Sequence, residues 1–249
     1  MHRFGSLEAL ARLGDAGERA DSVELKALLE PPADLAAEAL TGRRAPTWSV
    51  RETWLIDTAD ARLLRAGVEV RLRRRTRGRY DLAVSARRSA TSCPPGSTPR
   101  GVRVEIDVVP GAVWRDVEVR RDVDPAVAAE VLAGTAAAAT LLSAAQRAWA
   151  CHGGQEQVHD TCLAALMVHG PLAVHRVKVA AVALGLRRAD LEHVRFPSGV
   201  ELVELSTHCR LGDVRDTAAA FERLLDEPEV AVSPRYRTKT SVWRDELAG

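Results

Sequence analysis

The chain has 249 residues, of which 46% are hydrophobic and 28% charged; this is the profile of a globular protein long enough to bury the core of one large domain or two small ones. A net charge of +1 excludes the global basic excess of a non-specific nucleic-acid binder, so any anion site must be local. The opening residues lack the apolar core of a secretory signal, Glu130 interrupts the Ala-rich run after Pro125 so that no membrane span is expected, and four scattered cysteines (Cys93, Cys151, Cys162, Cys209) fit a reducing cytoplasm.

In chain order, residues 1–20 read as a short helix or loose N-terminal extension. "SVELKALL" (22–29) predicts a strand, and "PADLAAEAL" after the double proline predicts a helix. Strands are expected over 51–56, 67–74 and 80–86, followed by the loop "SATSCPPGSTPRG" (89–101), and again over 102–109 and 113–120. From 124 to 168 the texture changes to Ala and Leu at helical spacing, broken at "CHGGQ". Strand patterns return at 173–183, 187–196 and 200–206. "DVRDTAAAFERLLDE" is an amphipathic helix, and "SPRYRTKTSVW" (233–243) reads as a last strand. The sum is α+β, an antiparallel sheet with helices beside it.

Residues two apart in a strand share a face. Applied here, that rule segregates charge repeatedly. Glu24 and Lys26 oppose Val23, Leu25 and Ala27; Arg71, Arg73 and Arg75 oppose Val70 and Leu72. Arg103, Glu105 and Asp107 oppose Val102, Val104, Ile106 and Val108, while Glu118 and Arg120 oppose Val117 and Val119. Arg176 and Lys178 oppose Val177 and Val179; Arg235, Arg237 and Lys239 also alternate with uncharged neighbours. A one-sided sheet with a charged solvent face would look like this. So would a closed barrel with a charged interior and helices outside. Periodicity alone leaves both open.

The stretch "DTADARLLRAGVEVRLRRR" resembles the CYTH family, the triphosphate tunnel metalloenzymes, through Asp57, Thr58, Leu63, Leu64, Gly67, Arg71 and Arg73. The resemblance extends to Glu24 and Lys26 of an E-x-E-x-K pattern, to the acidic strand "RVEID", to "GVELVELS" and to Lys239. It spans a tunnel domain over 21–245 that includes the helical insert 124–168. It implies an eight-stranded antiparallel β-barrel whose interior holds the charges, covered by helices. It also implies metal-dependent hydrolysis of a triphosphate-containing substrate, with Mg²⁺ or Mn²⁺ as cofactor. Two alternatives are polyphosphate or nucleotide binding without efficient turnover, and an adenylyl-cyclase-type lyase.

Carried over by position, Lys26, Arg71, Arg73, Arg103, Arg176, Lys178 and Lys239 would grip phosphate oxygens. Glu24, Glu105, Asp107 and Glu204 would hold the metal, and Glu24, Glu105 and Lys26 would serve catalysis. Arg51 and Arg120 are further wall positions without a motif. The chain departs from the pattern at Ser22 and Leu202, where acids are expected, and at Ser85, where a lysine is expected and Arg87 on the same face could compensate. Fewer acids weaken metal binding more than phosphate binding. The expected partner is a polyphosphorylated small molecule, with no nucleic acid or membrane, and the helical insert could mediate a homodimer. Cys151, His152, His159 and Cys162 invite a zinc reading, but their spacing matches no regular knuckle, so a loop closing onto a helix is expected instead.

Overall fold

The computed structural model describes residues 4, 20–89 and 102–248. The expected N-terminal extension, apart from its residues 4 and 20, and nearly all of the loop over 89–101 lie outside the described residues. Nine of the ten segments read as strands are strands: β1 (Ser22–Leu29), β2 (Ser49–Asp57), β3 (Val68–Arg74), β4 (Tyr80–Ser89), β5 (Arg103–Val109), β6 (Ala112–Val123), β7 (Met167–Ala181), β8 (Leu186–Arg195) and β9 (Glu201–Cys209). They close into one barrel in the order β1-β5-β6-β4-β3-β2-β7-β8-β9, with β9 returning to β1.

The barrel therefore has nine strands where eight were expected, and it is mixed. β1 pairs parallel with β5, and every other neighbour pair is antiparallel. The parallel seam is forced by the count: direction cannot alternate all the way round a ring with an odd number of strands. The tenth expected strand is absent. Val232 makes a single bridge to Leu29, and from Lys239 the chain is helical. β7 starts at Met167, inside the stretch read as helical, because its first residues continue the pairing with β2 (Asp57 opposite Met167).

Among the described residues six α-helices accompany the barrel: α1 (Ala33–Thr41), α2 (Arg62–Arg65), α3 (Pro125–Leu132), α4 (Ala144–His152), α5 (Val214–Leu225) and α6 (Lys239–Ala248). The apolar half of each strand faces outward against them. α1 and α5 cover Val23, Leu25, Ile106, Val177, Leu191 and Leu205 with Ala37, Leu40, Ala218 and Phe221. The insert between β6 and β7 covers Ile56, Val70, Leu72, Leu82 and Val84 with Ala128, Val131, Leu141, Ala150 and Leu163. A fully buried side chain such as Phe221 contributes about 1.5–3 kcal/mol to this packing. With the apolar faces turned outward, the charged faces point into the barrel. α3 and α4 begin at ordinary caps: Asp124 accepts from the Ala126 N–H, and Ser143 and Gln146 form a capping box.

The interior is graded along its axis. Towards one end it is apolar: Leu28, Leu55, Leu172, Val174, Val194 and Leu202 pack with Val242 and Trp243 of α6, so the C-terminal helix plugs that end. Leu202 stands where the family pattern places an acid, and a carboxylate there would be buried against this plug. Asp57 and Thr58 are not in the tunnel at all. The Asp57 carboxylate is fully buried and binds the N–H groups of Thr58 (2.7 Å), Leu63 (2.9 Å) and Leu64 (2.9 Å), pinning the turn and α2. Gly67, at φ 79°, then reverses the chain into β3.

Candidate functional site: the charged tunnel

Among the described residues, strand alternation brings eight lysines and arginines and eight carboxylates to the wall of one cavity of about 360 Å³, and α6 adds Lys239; the volume is within the range that takes a small-molecule ligand. Of the seven residues expected to bind phosphate, Lys26, Arg71, Arg73, Arg103, Arg176 and Lys239 line it. Lys178 does not; it is exposed and borders a separate surface hollow beside Thr41 and Arg43. Arg51, Arg87 and Arg120 join the wall, so Arg87 supplies a cation where Ser85 cannot. Arg75, by contrast, is exposed at the strand end and reaches back to the buried Asp81 at 2.7 Å.

Most of these charges are already partnered. Lys26 Nζ lies 2.9 Å from Glu24 and 3.0 Å from Asp107. Arg87 is 2.8 Å from Asp107, Arg71 is 2.6 Å from Glu69, and Arg176 pairs with Asp190. Lys239 bridges Glu192 (2.7 Å) and Glu204 (2.6 Å). Burial works against such cations, yet the surrounding carboxylates outweigh it, raising Lys26, Arg71, Arg87 and Lys239 above their ordinary values. Lys26 therefore stays charged and cannot act as a base.

Arg73 is different. No ion pair or hydrogen bond among the described residues holds its guanidinium, and it faces the cavity with Arg71 and Arg120 close by. The charge of Arg71, then burial, then Arg120 lower its pKa to about 10. Arg51 is lowered in the same way, by burial and then by Arg176. These are cations that the protein's own acids leave under-compensated.

The four acids expected to hold metal divide into two groups. Glu24 and Glu105 come together at the tunnel mouth, joined by His208, and one ligand atom from each of the three lies within 4.8 Å of the others. Two carboxylates and an imidazole suit a single divalent cation, with further positions left for water or substrate oxygens. Asp107 stands opposite Glu24 across the β1–β5 pairing but is held by Lys26 and Arg87, and Glu204 is held by Lys239 and Tyr236 (3.2 Å), so neither joins the three-residue group. Burial opposes the charge of Asp107, but Lys26 and Arg87 keep its pKa low. Ser22, at an expected acid position, donates to Glu105 Oε2 at 2.6 Å.

Sequence reasoning missed several wall residues whose signal was present. Glu69 precedes Arg71 by two, Asp190 precedes Glu192 by two, and His208 follows Glu204 and Ser206 at the same step, so all lie on interior faces. Asp116 is another. Burial, and next the charge of Asp107, push it up to about 7, and its Oδ1 has no hydrogen-bond partner among the described residues. A second cavity, of about 520 Å³, shares Glu69, Arg71, Arg87, Asp116 and Thr240 with the first and opens past Trp114, Tyr236, Arg237 and Arg244.

Cys151 and Cys162 are buried free thiols, with Cys151 Sγ 3.9 Å from Asp160, and among the described residues no metal-ligating group includes them or His159. No helix among the described residues is long and apolar enough to cross a membrane.

No protein-family model and no curated protein sequence matches this chain. Solved structures do. An adenylyl cyclase candidate from Hippeastrum, with a dominant triphosphatase activity, matches at a TM-score of 0.61 and 18% identity, over 90% of this chain and 95% of that one. An adenylate cyclase candidate from Bacillus halodurans matches at a TM-score of 0.56 and 12% identity, over 88% of this chain and 95% of that one. At such identities the likeness is one of fold.

Proposed function

We propose, starting from the CYTH-type tunnel barrel that this chain has, that it hydrolyses a triphosphate-containing substrate with the help of a divalent metal ion. The observation that carries this reading is Arg73, an inward-facing guanidinium without a carboxylate of its own, crowded by Arg71 and Arg120. Such a cluster is relieved by a polyanion, whose oxygens accept charge-assisted hydrogen bonds from several cations at once. The triphosphatase activity of the Hippeastrum protein supports the same reading.

In this mechanism Arg71, Arg73 and Arg176 hold the substrate's phosphoryl oxygens, with Arg103 and Arg120 nearer the mouth. Lys26 acts as a permanent cation. Glu24 or Glu105 orients the water whose oxygen attacks the terminal phosphorus; the bond to the bridging oxygen breaks, and orthophosphate departs from the shortened chain. Glu24, Glu105 and His208 would hold Mg²⁺ or Mn²⁺, which would supply charge neutralisation at the terminal phosphoryl group.

A second reading, binding of polyphosphate without efficient turnover, is favoured by the engagement of Glu204 with Lys239 and by Lys26, whose ammonium occupies oxygens of both Glu24 and Asp107. Phosphate release from tripolyphosphate, ATP and thiamine triphosphate, with Mg²⁺, Mn²⁺ or chelator, separates the two. Metal-dependent release supports the hydrolase. No release, with a thermal shift on adding tripolyphosphate, supports the binder. The absence of both release and thermal shift would overturn the tunnel's assignment to polyphosphate.

A further inference from the structure

The mouth of the tunnel carries a nitrogen donor that the acid pattern does not foresee. Antiparallel pairing of β1 with β9 sets His208 directly opposite Glu24, and parallel pairing of β1 with β5 sets Glu105 opposite Ser22, one step along the same face. Where an acid at position 22 would have supplied a third carboxylate, the serine spends its hydroxyl on Glu105, and the imidazole of His208 is the third donor instead.

The contacts around His208 are informative in their own right. Nε2 lies 3.4 Å from Glu24 Oε1, and Nδ1 lies 3.6 Å from Glu105 Oε2. Both ring nitrogens thus face carboxylate oxygens, and a ligand atom from each of Glu24, Glu105 and His208 lies within 4.8 Å of the others, the spacing of donors that can share one dication. Lys26 binds the other oxygen of Glu24, Oε2, and Ser22 and Arg103 both bind Glu105 Oε2, so among the described residues Glu24 Oε1 faces His208 alone and Glu105 Oε1 is left for a ligand. The His208 side chain is 46% exposed, so an ion reaches it from solvent.

We propose that His208 is a metal ligand and that, with Glu24 and Glu105, it makes the tunnel-mouth site prefer a transition-metal dication such as Mn²⁺ or Co²⁺ to Mg²⁺. Mg²⁺ favours oxygen donors and gives up its waters reluctantly, whereas imidazole suits first-row transition ions, whose affinity rises along the series from Mn²⁺ to Cu²⁺. The inference rests on the reading of Glu24 and Glu105 as the metal site.

The test is calorimetric titration of the metal-free full chain with MgCl₂, MnCl₂ and CoCl₂, together with the visible absorption of bound Co²⁺, for the native protein and for His208→Ala and Glu24→Gln. Co²⁺ is expected to bind at least about tenfold more tightly than Mg²⁺. His208→Ala is expected to lose about tenfold or more in Co²⁺ affinity and to shift the Co²⁺ spectrum, with Mg²⁺ affinity changed by less than about twofold. Thermal melts confirm that each variant is folded. Equal affinities for Mg²⁺ and Co²⁺ in the native protein, or Co²⁺ binding insensitive to His208, would overturn the proposal. Co²⁺ binding as expected without phosphate release from tripolyphosphate would overturn the hydrolase and keep the site. Mg²⁺-supported release by a native protein whose Co²⁺ binding ignores His208 would do the reverse.

Discussion

Lys239 Nζ stands 2.6 Å from Glu204 Oε1, so a residue on the C-terminal helix supplies the counter-charge for an acid on β9, and at 2.7 Å it also reaches Glu192 on β8. The same helix carries Trp243 into the apolar plug. The charge pair and the plug together fix how α6 closes the barrel.

Lys239→Met is therefore expected to destabilise the fold by about 3 kcal/mol at neutral pH, because two largely buried carboxylates lose their cation. The effect should shrink in acid. Although burial opposes it, Lys239 and Arg176 hold the Glu192 pKa down to about 2, below an unfolded value of about 4.3. A depressed carboxylate contributes stability that is present above the unfolded pKa and is lost as pH falls through the folded one, here between about 4 and 2. Urea denaturation of both proteins at pH 7 and pH 3 checks this. An equal gap at the two pH values would show that the pair does not couple to Glu192.

Arg71 and Arg73 should part company on mutation although they look alike in the sequence. Arg71 neutralises Glu69, whereas Arg73 has no such partner among the described residues and is crowded by Arg71. Arg73→Ala is expected to weaken tripolyphosphate binding by about 1–3 kcal/mol while leaving the melting temperature unchanged or raised. Arg71→Ala should weaken binding and lower the melting temperature as well, since Glu69 then lies buried without its cation. Calorimetric titration and thermal melts read both, and unchanged binding in the two variants would remove the strand from the phosphate site.

Asp57, which leads the motif that gave the family resemblance, is predicted to matter for folding and not for chemistry. Its carboxylate takes three backbone N–H groups that α2 and its turn would otherwise leave unsatisfied, and it does so from outside the tunnel. Asp57→Ala is expected to cost about 2–4 kcal/mol in chemical denaturation, one unmet donor after another. Below the unfolding transition, metal and tripolyphosphate affinities should be those of the native chain. A variant of native stability would show that the turn forms without its carboxylate.

The strands were legible because period-two alternation is a local property, plain in β1, β3, β5, β6 and β7. Which face turned inward was not legible from periodicity and came only from the family resemblance, since it depends on closure and on helices that arrive from far along the chain: Phe221 of α5 packs in one core with Leu25 and Leu205. The same limit explains the error at the C-terminus. Arg235, Arg237 and Lys239 alternate as a strand would, but the barrel closes from β9 to β1 without another strand, and Arg237 instead pairs with Asp245 of α6 at 2.6 Å. Lys239 reaches the tunnel all the same, from a helix. Leu202 carries no local sign that it abuts Trp243, 41 positions on. His208 could have been found by counting two residues past Ser206.

Asp116 gives the tunnel a pH dependence of its own. Burial and then Asp107 raise its pKa to about 7, against an unfolded value of about 3.9. Between those values the folded protein holds a proton that the unfolded chain has released, so stability must fall as pH rises from about 4 to about 7, and level off above. Asp116→Asn keeps the shape and removes the titration. The variant should match the native protein near pH 4 and melt higher than it at pH 8. Ligand binding should follow the same group. Ionised Asp116 faces the tunnel beside Arg71 and Arg87 and repels an incoming polyanion, whereas the protonated acid can donate to a phosphate oxygen through the side chain whose Oδ1 has no protein partner among the described residues. The ratio of tripolyphosphate affinities, variant over native, is therefore expected to rise between pH 6 and pH 8. Parallel melting and binding curves for the two proteins across that range would place the Asp116 titration elsewhere and leave the tunnel's charge constant near neutrality.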